Sequence, residues 1–265
     1  MSIKARFPHH LLLLLILLLA GCRPAGGVWP QIQASGVLRV GLDPTYPPFE
    51  STEGGELHGF DVDLAHALAS DLGLTAEFVH LGYDGLYDAL ATGRVDVLLS
   101  ALVIQPERTR DFAYSEPYFN AGQLLLLPAG SAVRSVADLP GRVVAVELGA
   151  EGHVLATEYT RRLPNLTITP YNTPDEALAA VAAGAADAAI TDAISAYLYL
   201  AATHDEGQLH PAGEPLTTEP FALVVRIEDE QLLDQLNQSL ARLQAGGQLA
   251  TMRTRWLESP ANRPN

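Results

Sequence analysis

Lysine is almost missing from this chain of 265 residues: Lys4 is the only one, and every other fixed positive side chain is an arginine. Acidic residues outnumber basic ones 31 to 16, for a net charge of −15. A surface of that sign repels nucleic acid and anionic lipid headgroups. Cysteine is nearly absent too. With Cys22 alone, no intramolecular disulfide is possible, and stability outside the cell has to come from the core. No apolar run reaches the roughly 20 residues of a membrane-spanning helix; Leu124 to Leu127 is short enough to be a buried strand. His58, His66, His80, His153, His204 and His210 show no metal-ligand spacing. There is neither a nucleophile elbow nor a phosphate loop. No metal, cofactor or nucleic acid is expected.

What is there begins with an export signal, Met1 to Gly21. Lys4 and Arg6 make its positive start, Leu11 to Leu19 its apolar core, and Leu19-Ala-Gly-Cys22 its cut site. A cysteine at that spacing resembles the lipobox of bacterial lipoproteins, which implies acylation of Cys22 as the mature N-terminus. Residues 22–35 read as a lipid-anchored linker, flexible where Pro24, Gly26 and Gly27 cluster. Without Lys4 and Arg6, 14 basic residues face 31 acidic ones, a net charge of −17.

From Gly36 onward strands and helices alternate, the α/β pattern of parallel sheets wrapped by helices. Strands are expected at Val37–Leu42, Thr75–Val79 and Asp96–Leu99, with helices at Asp61–Leu72 and Asp84–Ala91. The pattern then restarts: strands at Arg142–Val146, Thr167–Tyr171 and Asp187–Ile190, helices at His153–Arg162 and after Thr173. Thr173-Pro-Asp-Glu176 supplies a cap, a proline in the first turn and a glutamate three residues on. Leu86 to Ser100 and Ala177 to Thr191 match in order: helix, glycine (Gly93, Gly184), aspartate (Asp96, Asp187), apolar strand, hydroxyl. The repeat implies two similar lobes. Phe221–Val225 reads as one further strand, and Glu228–Gln244 and Leu249–Trp256 as closing helices. Chain crossings near Ala121–Leu125 and Pro220–Ala222 would form the hinge.

Ligands of open α/β sheets bind beyond the strands' carboxyl ends. There the sequence places Asp43 and Tyr46, then Tyr83, then Ser100, Ala101, Val103 and Arg108. In the second half it places Glu147, Ala150, Glu151 and Asp192. An arginine, several carboxylates and the N–H groups of a helix start suit a zwitterion. Arg108 and the amides near Ala150 would take its carboxylate, and Asp192 its ammonium. Each also has an ordinary reading: Arg108 as a surface arginine, Asp192 as a helix cap, Tyr46, Phe49 and Tyr83 as core aromatics.

The stretches Leu38-Arg-Val-Gly-Leu-Asp-Pro-Thr-Tyr-Pro-Pro-Phe49, Gly59-Phe-Asp-Val-Asp-Leu64, Tyr83-Asp-Gly-Leu86, Gly93 to Ser100 and Arg108 to Tyr118 resemble the extracellular solute-binding proteins of polar amino-acid importers, bacterial family 3. The resemblance runs from about Gly36 to Leu257. It implies a type II periplasmic-binding-protein fold: two lobes, each a mainly parallel sheet flanked by helices, joined by a two-stranded hinge. Lobe 1 would hold residues 36–122 and 221–258, lobe 2 residues 123–220, and 259–265 a tail. The implied function is capture of an amino acid outside the cytoplasm and delivery to an ABC permease, by a monomer and without catalysis. Arg108 would bind the α-carboxylate and Asp192 the α-ammonium; Tyr46 and Tyr83 would flank the side chain, with Asp43 near its far end. Ala101, Val103 and Ala150-Glu151-Gly152 depart from the hydroxyl-rich residues usual there, and Glu151 is expected to point to solvent. Asp43 and Glu147 favour a cationic ligand (arginine, lysine or histidine), then glutamine. Two alternatives share the fold: dehydratases acting on prephenate-like acids, and a sensor acting through a separate receptor.

Overall fold

The structure is a computed structural model that describes residues 27–52, 54–203 and 208–258. The export signal, Cys22 and the tail 259–265 lie outside the described residues.

The expected linker ends earlier than its composition suggests. Trp29–Ser35 is a helix, α1, with proline in its first turn and Gly36 closing it in the left-handed region. Trp29 and Ile32 are buried, because a seven-residue helix is held by packing rather than by propensity.

Lobe 1 follows with β1 (Val37–Leu42), β2 (Thr45–Tyr46), β3 (Glu50–Ser51), α2 (Phe60–Asp71), β4 (Thr75–His80), α3 (Leu86–Ala91), β5 (Val97–Leu98), β6 (Phe112–Tyr114) and β7 (Phe119–Asn120). Lobe 2 contains β8 (Gln123–Pro128), β9 (Val143–Glu147), α4 (Glu151–Thr160), β10 (Thr167–Tyr171), α5 (Pro174–Ala182), β11 (Ala188–Asp192), α6 (Ala193–Thr203) and β12 (Leu209–Pro211). After β13 (Pro220–Phe221) come β14 (Val224–Arg226), α7 (Glu230–Ala245) and α8 (Gln248–Leu257). The span Phe221–Val225, read as one strand, is thus split: β13 pairs with β7 and β14 joins the lobe 1 sheet.

The two sheets have matching orders, β4-β1-β5-β14-β6 and β10-β9-β11-β8-β12. In each, the first three strands are parallel and the fourth runs antiparallel to them. The fourth strand is β8 in one lobe and β14 in the other, each reached directly after the chain crosses between lobes. The antiparallel pair β7–β13 makes the hinge, with Pro220 opposite Asn120 and Phe221 opposite Phe119. That is a few residues earlier than expected on the first crossing, since Leu124 and Leu125 already belong to the lobe 2 sheet. Gly122 lies beside the crossing because a Cβ there would sit 2.0 Å from the Thr217 carbonyl oxygen. Phe119 and Phe221 pack edge-on against Phe49, each with ring centroids 5.3 Å away, and so seat the hinge on lobe 1.

The sequence repeat has a physical cause. Asp96 Oδ2 accepts the Arg39 backbone N–H at 3.0 Å and its carboxylate pairs with the Arg39 guanidinium. Asp187 Oδ2 likewise accepts the Val143 N–H at 2.8 Å, and Oδ1 meets Arg142 at 3.2 Å. In each lobe an aspartate entering the central strand, β5 or β11, fastens it to its parallel neighbour, β1 or β9. Helix α7 closes lobe 1 with Leu232, Leu236, Leu240 and Leu243 on one buried face. Helix α5 starts as expected, Thr173 accepting from the Glu176 N–H, but the Glu176 carboxylate returns to the Asn172 N–H, one residue earlier than in a capping box.

The two aspartates differ in burial: the Asp96 side chain is 2% exposed and that of Asp187 is 34% exposed. Asp96→Ala is therefore expected to cost about 2 kcal/mol by leaving the half-buried Arg39 N–H and guanidinium without their acceptor, against about 1 kcal/mol for Asp187→Ala. Equal urea-unfolding midpoints for the two variants would contradict this.

Candidate functional site

Between the lobes, beside the hinge, lies a cavity of 490 Å³. Lobe 1 contributes Asp43, Thr45, Tyr46, Glu50, Tyr83, Ser100, Ala101 and Val103; Asp192 and Ile194 come from lobe 2, and Ala121, Glu219 and Phe221 from the hinge. Seven of the anticipated residues are in this wall: Asp43, Tyr46, Tyr83, Ser100, Ala101, Val103 and Asp192.

Each is held by its neighbours. The Asp43 N–H donates to Ser100 Oγ at 3.0 Å, while its carboxylate accepts from Thr45 Oγ1 at 2.8 Å and from the Tyr83 N–H at 2.9 Å. One aspartate thereby joins three loops. Tyr46 stacks on Phe49, yet Tyr46 and Tyr83 remain 46% and 57% exposed, as rings flanking an open cleft would be. Asp192 does cap a helix, since its Oδ1 accepts the Ser195 N–H at 2.8 Å, and it lines the cavity as well. The two readings of that residue were not exclusive.

The floor rests on two buried carboxyls. Glu50, 1% exposed, accepts from Ser100 Oγ through Oε1 at 2.7 Å. Asp61, 0% exposed, accepts from the Ala101 N–H at 2.7 Å and from the Tyr118 hydroxyl at 2.9 Å, both through Oδ2. Glu50 Oε2 and Asp61 Oδ1 are buried and receive no protein donor. The two side chains hydrogen-bond to each other, which requires a proton held between them. Burial is the main cause raising both, with the Asp61 charge adding to Glu50; Asp61 is pushed up to about 7 and Glu50 higher. The pair holds Ala101 at φ 45, a left-handed conformation that is uncommon outside glycine. Gly59 makes the approach possible: a Cβ there would lie 2.0 Å from the Phe49 carbonyl oxygen.

Four anticipated residues stand elsewhere. Arg108 does not line the cavity; it is exposed, its guanidinium lying 4.0 Å from the centre of the Tyr87 ring and its Nε donating to Gln105 Oε1. No carboxylate among the described residues pairs with it, and stacking on Tyr87 provides the contact instead. Glu147 ends β9 and Ala150 precedes α4, both outside the lining. Glu151 is exposed as expected, but its carboxyl hydrogen-bonds to that of Glu219. Glu219, Glu50, Thr45, Ala121, Ile194 and Phe221 complete the wall without having been anticipated. A signal existed for two: Glu50 directly follows the aromatic run ending at Phe49, and Glu219 is the charge before the return crossing at Pro220.

The cavity is acidic. Burial and then the hydrogen bond from Glu151 push Glu219 up to about 7, with the charges of Glu151 and Asp192 adding. Burial raises Tyr46 as well, helped by Asp192, Glu50 and Glu219. Among the described lining residues there is no arginine, lysine or histidine.

The bacterial extracellular solute-binding proteins, family 3, match over residues 38–259. This chain belongs to that family. It is 29% identical to the L-cystine-binding protein TcyJ of Escherichia coli over 87% of this chain and 86% of that protein. It is also 29% identical to the arginine-binding extracellular protein ArtP of Bacillus subtilis, over 83% and 85%. The crystal structure of an ancestral cyclohexadienyl dehydratase superposes with a TM-score of 0.75 at 30% identity, covering 89% of this chain and 98% of that one. The two-lobed architecture is the type II periplasmic-binding-protein fold. Among the described residues no helix is long and apolar enough to cross a membrane, and no cluster of three potential metal ligands occurs.

The shared proton makes a testable demand on stability. Unfolded carboxyls release their protons near pH 4, whereas the folded pair keeps one to higher pH. Stability is then greatest below about pH 4 as far as this pair is concerned, and falls as pH rises through about 7, where Asp61 titrates, and on toward about 10, where Glu50 does. Glu50→Gln supplies an N–H in place of the proton, so its stability is expected to decline less between pH 5 and 8. Glu219 acts in the same direction in both proteins, so the comparison isolates Glu50. Parallel urea-midpoint curves would rule the shared proton out.

Proposed function

We propose that this protein captures an amino acid outside the cytoplasm and hands it to the permease of an ABC importer, acting as a monomer tethered through an acylated Cys22 and performing no catalysis. The observation that carries the reading is the acidic cavity between two lobes joined by a two-stranded hinge, in a family whose relatives include amino-acid-binding proteins. A ligand drives closure only by binding the closed form better than the open one, and a cavity with walls from both lobes provides for that. Asp192 takes the ammonium. Arg108 leaves the Tyr87 ring for the ligand's carboxylate as the lobes approach, the amides at the start of α4 reaching the same group from the other side. The carboxylates of the wall favour a cationic side chain (arginine, lysine or histidine), with glutamine next; the arginine-binding relative agrees with that choice.

A dehydratase is the second reading, supported by the ancestral dehydratase structure and by Glu219, whose raised carboxyl in the cavity is placed to act as a general acid. An acidic wall without a lining cation opposes it, because an acidic substrate would be repelled. Release of a keto-acid product from prephenate-like acids would favour this reading over capture.

Thermal melting of the signal-free protein against the common amino acids tests the assignment. Arginine, lysine or histidine at a hundred times its dissociation constant is expected to stabilise by about 2.7 kcal/mol, with glutamate and aspartate inert. Arg108→Ala should weaken binding by about 2–5 kcal/mol. Preference for glutamate or aspartate would overturn the ligand choice, and full affinity in Arg108→Ala the carboxylate site.

A further inference from the structure

Glu219 is built into the hinge. Its N–H donates to Asn120 Oδ1 at 2.8 Å and its carbonyl oxygen accepts the Ala121 N–H at 2.9 Å, so both crossings fix its position. Its side chain borders the cavity in company with Asp192 at the end of β11 and Tyr46 on β2, and Glu151 reaches it from the first turn of α4. Glu50, buried behind Tyr46, adds a further carboxyl to the same wall. Asp43 and Tyr83 complete the titratable groups of this wall among the described residues.

Two carboxyls in hydrogen-bond contact need a proton between them, because ionised carboxylates only accept. Glu151 stands in the first turn of α4, where the helix dipole favours a negative charge. The proton therefore resides on Glu219. In the empty cleft this proton relieves repulsion among Glu219, Glu151 and Asp192. A ligand cation arriving beside Asp192 relieves the same repulsion, and proton and cation compete for one place.

We propose that Glu219 joins Asp192 as a second carboxylate holding the ligand's ammonium group, and that the proton it shares with Glu151 leaves for solvent as that group binds. This rests on the amino-acid capture reading above and adds to it a residue and an exchanged proton. The charge balances: the Glu151–Glu219 pair passes from one negative charge to two, the cation retains its own protons, and one proton enters the buffer. The free pair carries the proton and the liganded pair does not, so affinity rises with pH. It gains up to about tenfold per unit below neutrality and levels off above the Glu219 titration near 7.

Isothermal titration calorimetry with arginine, in buffers of different protonation enthalpy between pH 5.5 and 8.5, reads both effects. The wild type is expected to release close to one proton per arginine at pH 6 and almost none at pH 8.5. Glu219→Gln should release none and bind more weakly above neutrality, with an affinity independent of pH. Glu151→Gln should release less than the wild type at pH 6 and bind arginine more tightly there, because burial and Asp192 still raise Glu219 but the Glu151 contribution is gone. Loss of a merely structural contact would not produce opposite effects at the two ends of one hydrogen bond. Arginine binding without proton release in the wild type, or release that persists in Glu219→Gln, overturns the proposal and leaves capture intact. A wild type that binds no amino acid overturns both.

Discussion

The proton held between Glu50 and Asp61 is the constraint on which the cleft depends. Two carboxyls side by side in an apolar interior cannot both ionise, and neither has another donor for its inward oxygen. Their outward oxygens are committed to Ser100 and to the Ala101 N–H. Ser100 in turn receives the Asp43 N–H, and Asp43 orders the loops that carry Thr45 and Tyr83. A single buried pair thus sets the backbone of the lobe 1 half of the wall, including the strained turn at Ala101. The aromatic contacts from Phe49 to Phe119 and Phe221 extend the same rigid block to the hinge.

Lobe 2 offers less to the cavity: Asp192 and Ile194 directly, and Glu151 through Glu219. That asymmetry bears on the proposed closure. In the proposed closure the side preorganised by hydrogen bonds is the fixed one, and the two short strands β7 and β13 are the hinge. Carboxyls gathered from both lobes and from the hinge crowd the empty cleft, and a raised Glu219 keeps their repulsion down. On the proposed reading, a ligand cation between them takes over that role and favours closure.

Much of this was legible in the sequence where short-range rules decide the outcome. Gly93 and Gly184 end helices in the left-handed region, and the aspartates three residues later mark the staple from the central strand to its parallel neighbour. Strands β1 and β10 and the start of α5 were legible for the same reason. What stayed hidden depends on distant partners. Phe221 to Val225 reads as one apolar strand, and only the pairing with Phe119 on one side and with Leu98 and β6 on the other divides it. Glu50 and Glu219 are marked in the sequence only by position, after the aromatic run ending at Phe49 and before Pro220; their burial and carboxyl neighbours come from tertiary packing. The position of Arg108 past a strand end was legible, but spacing gives the reach of a guanidinium and not its resting place, which is the Tyr87 ring.

Closure on a zwitterion is the central claim, and small-angle X-ray scattering of the signal-free protein with and without saturating arginine tests it most directly. The account predicts that the radius of gyration falls and the scattering curve changes shape when arginine is added, with glutamate leaving both unchanged. Identical curves with and without arginine, in a sample shown to have bound it, would contradict capture by closure of the two lobes.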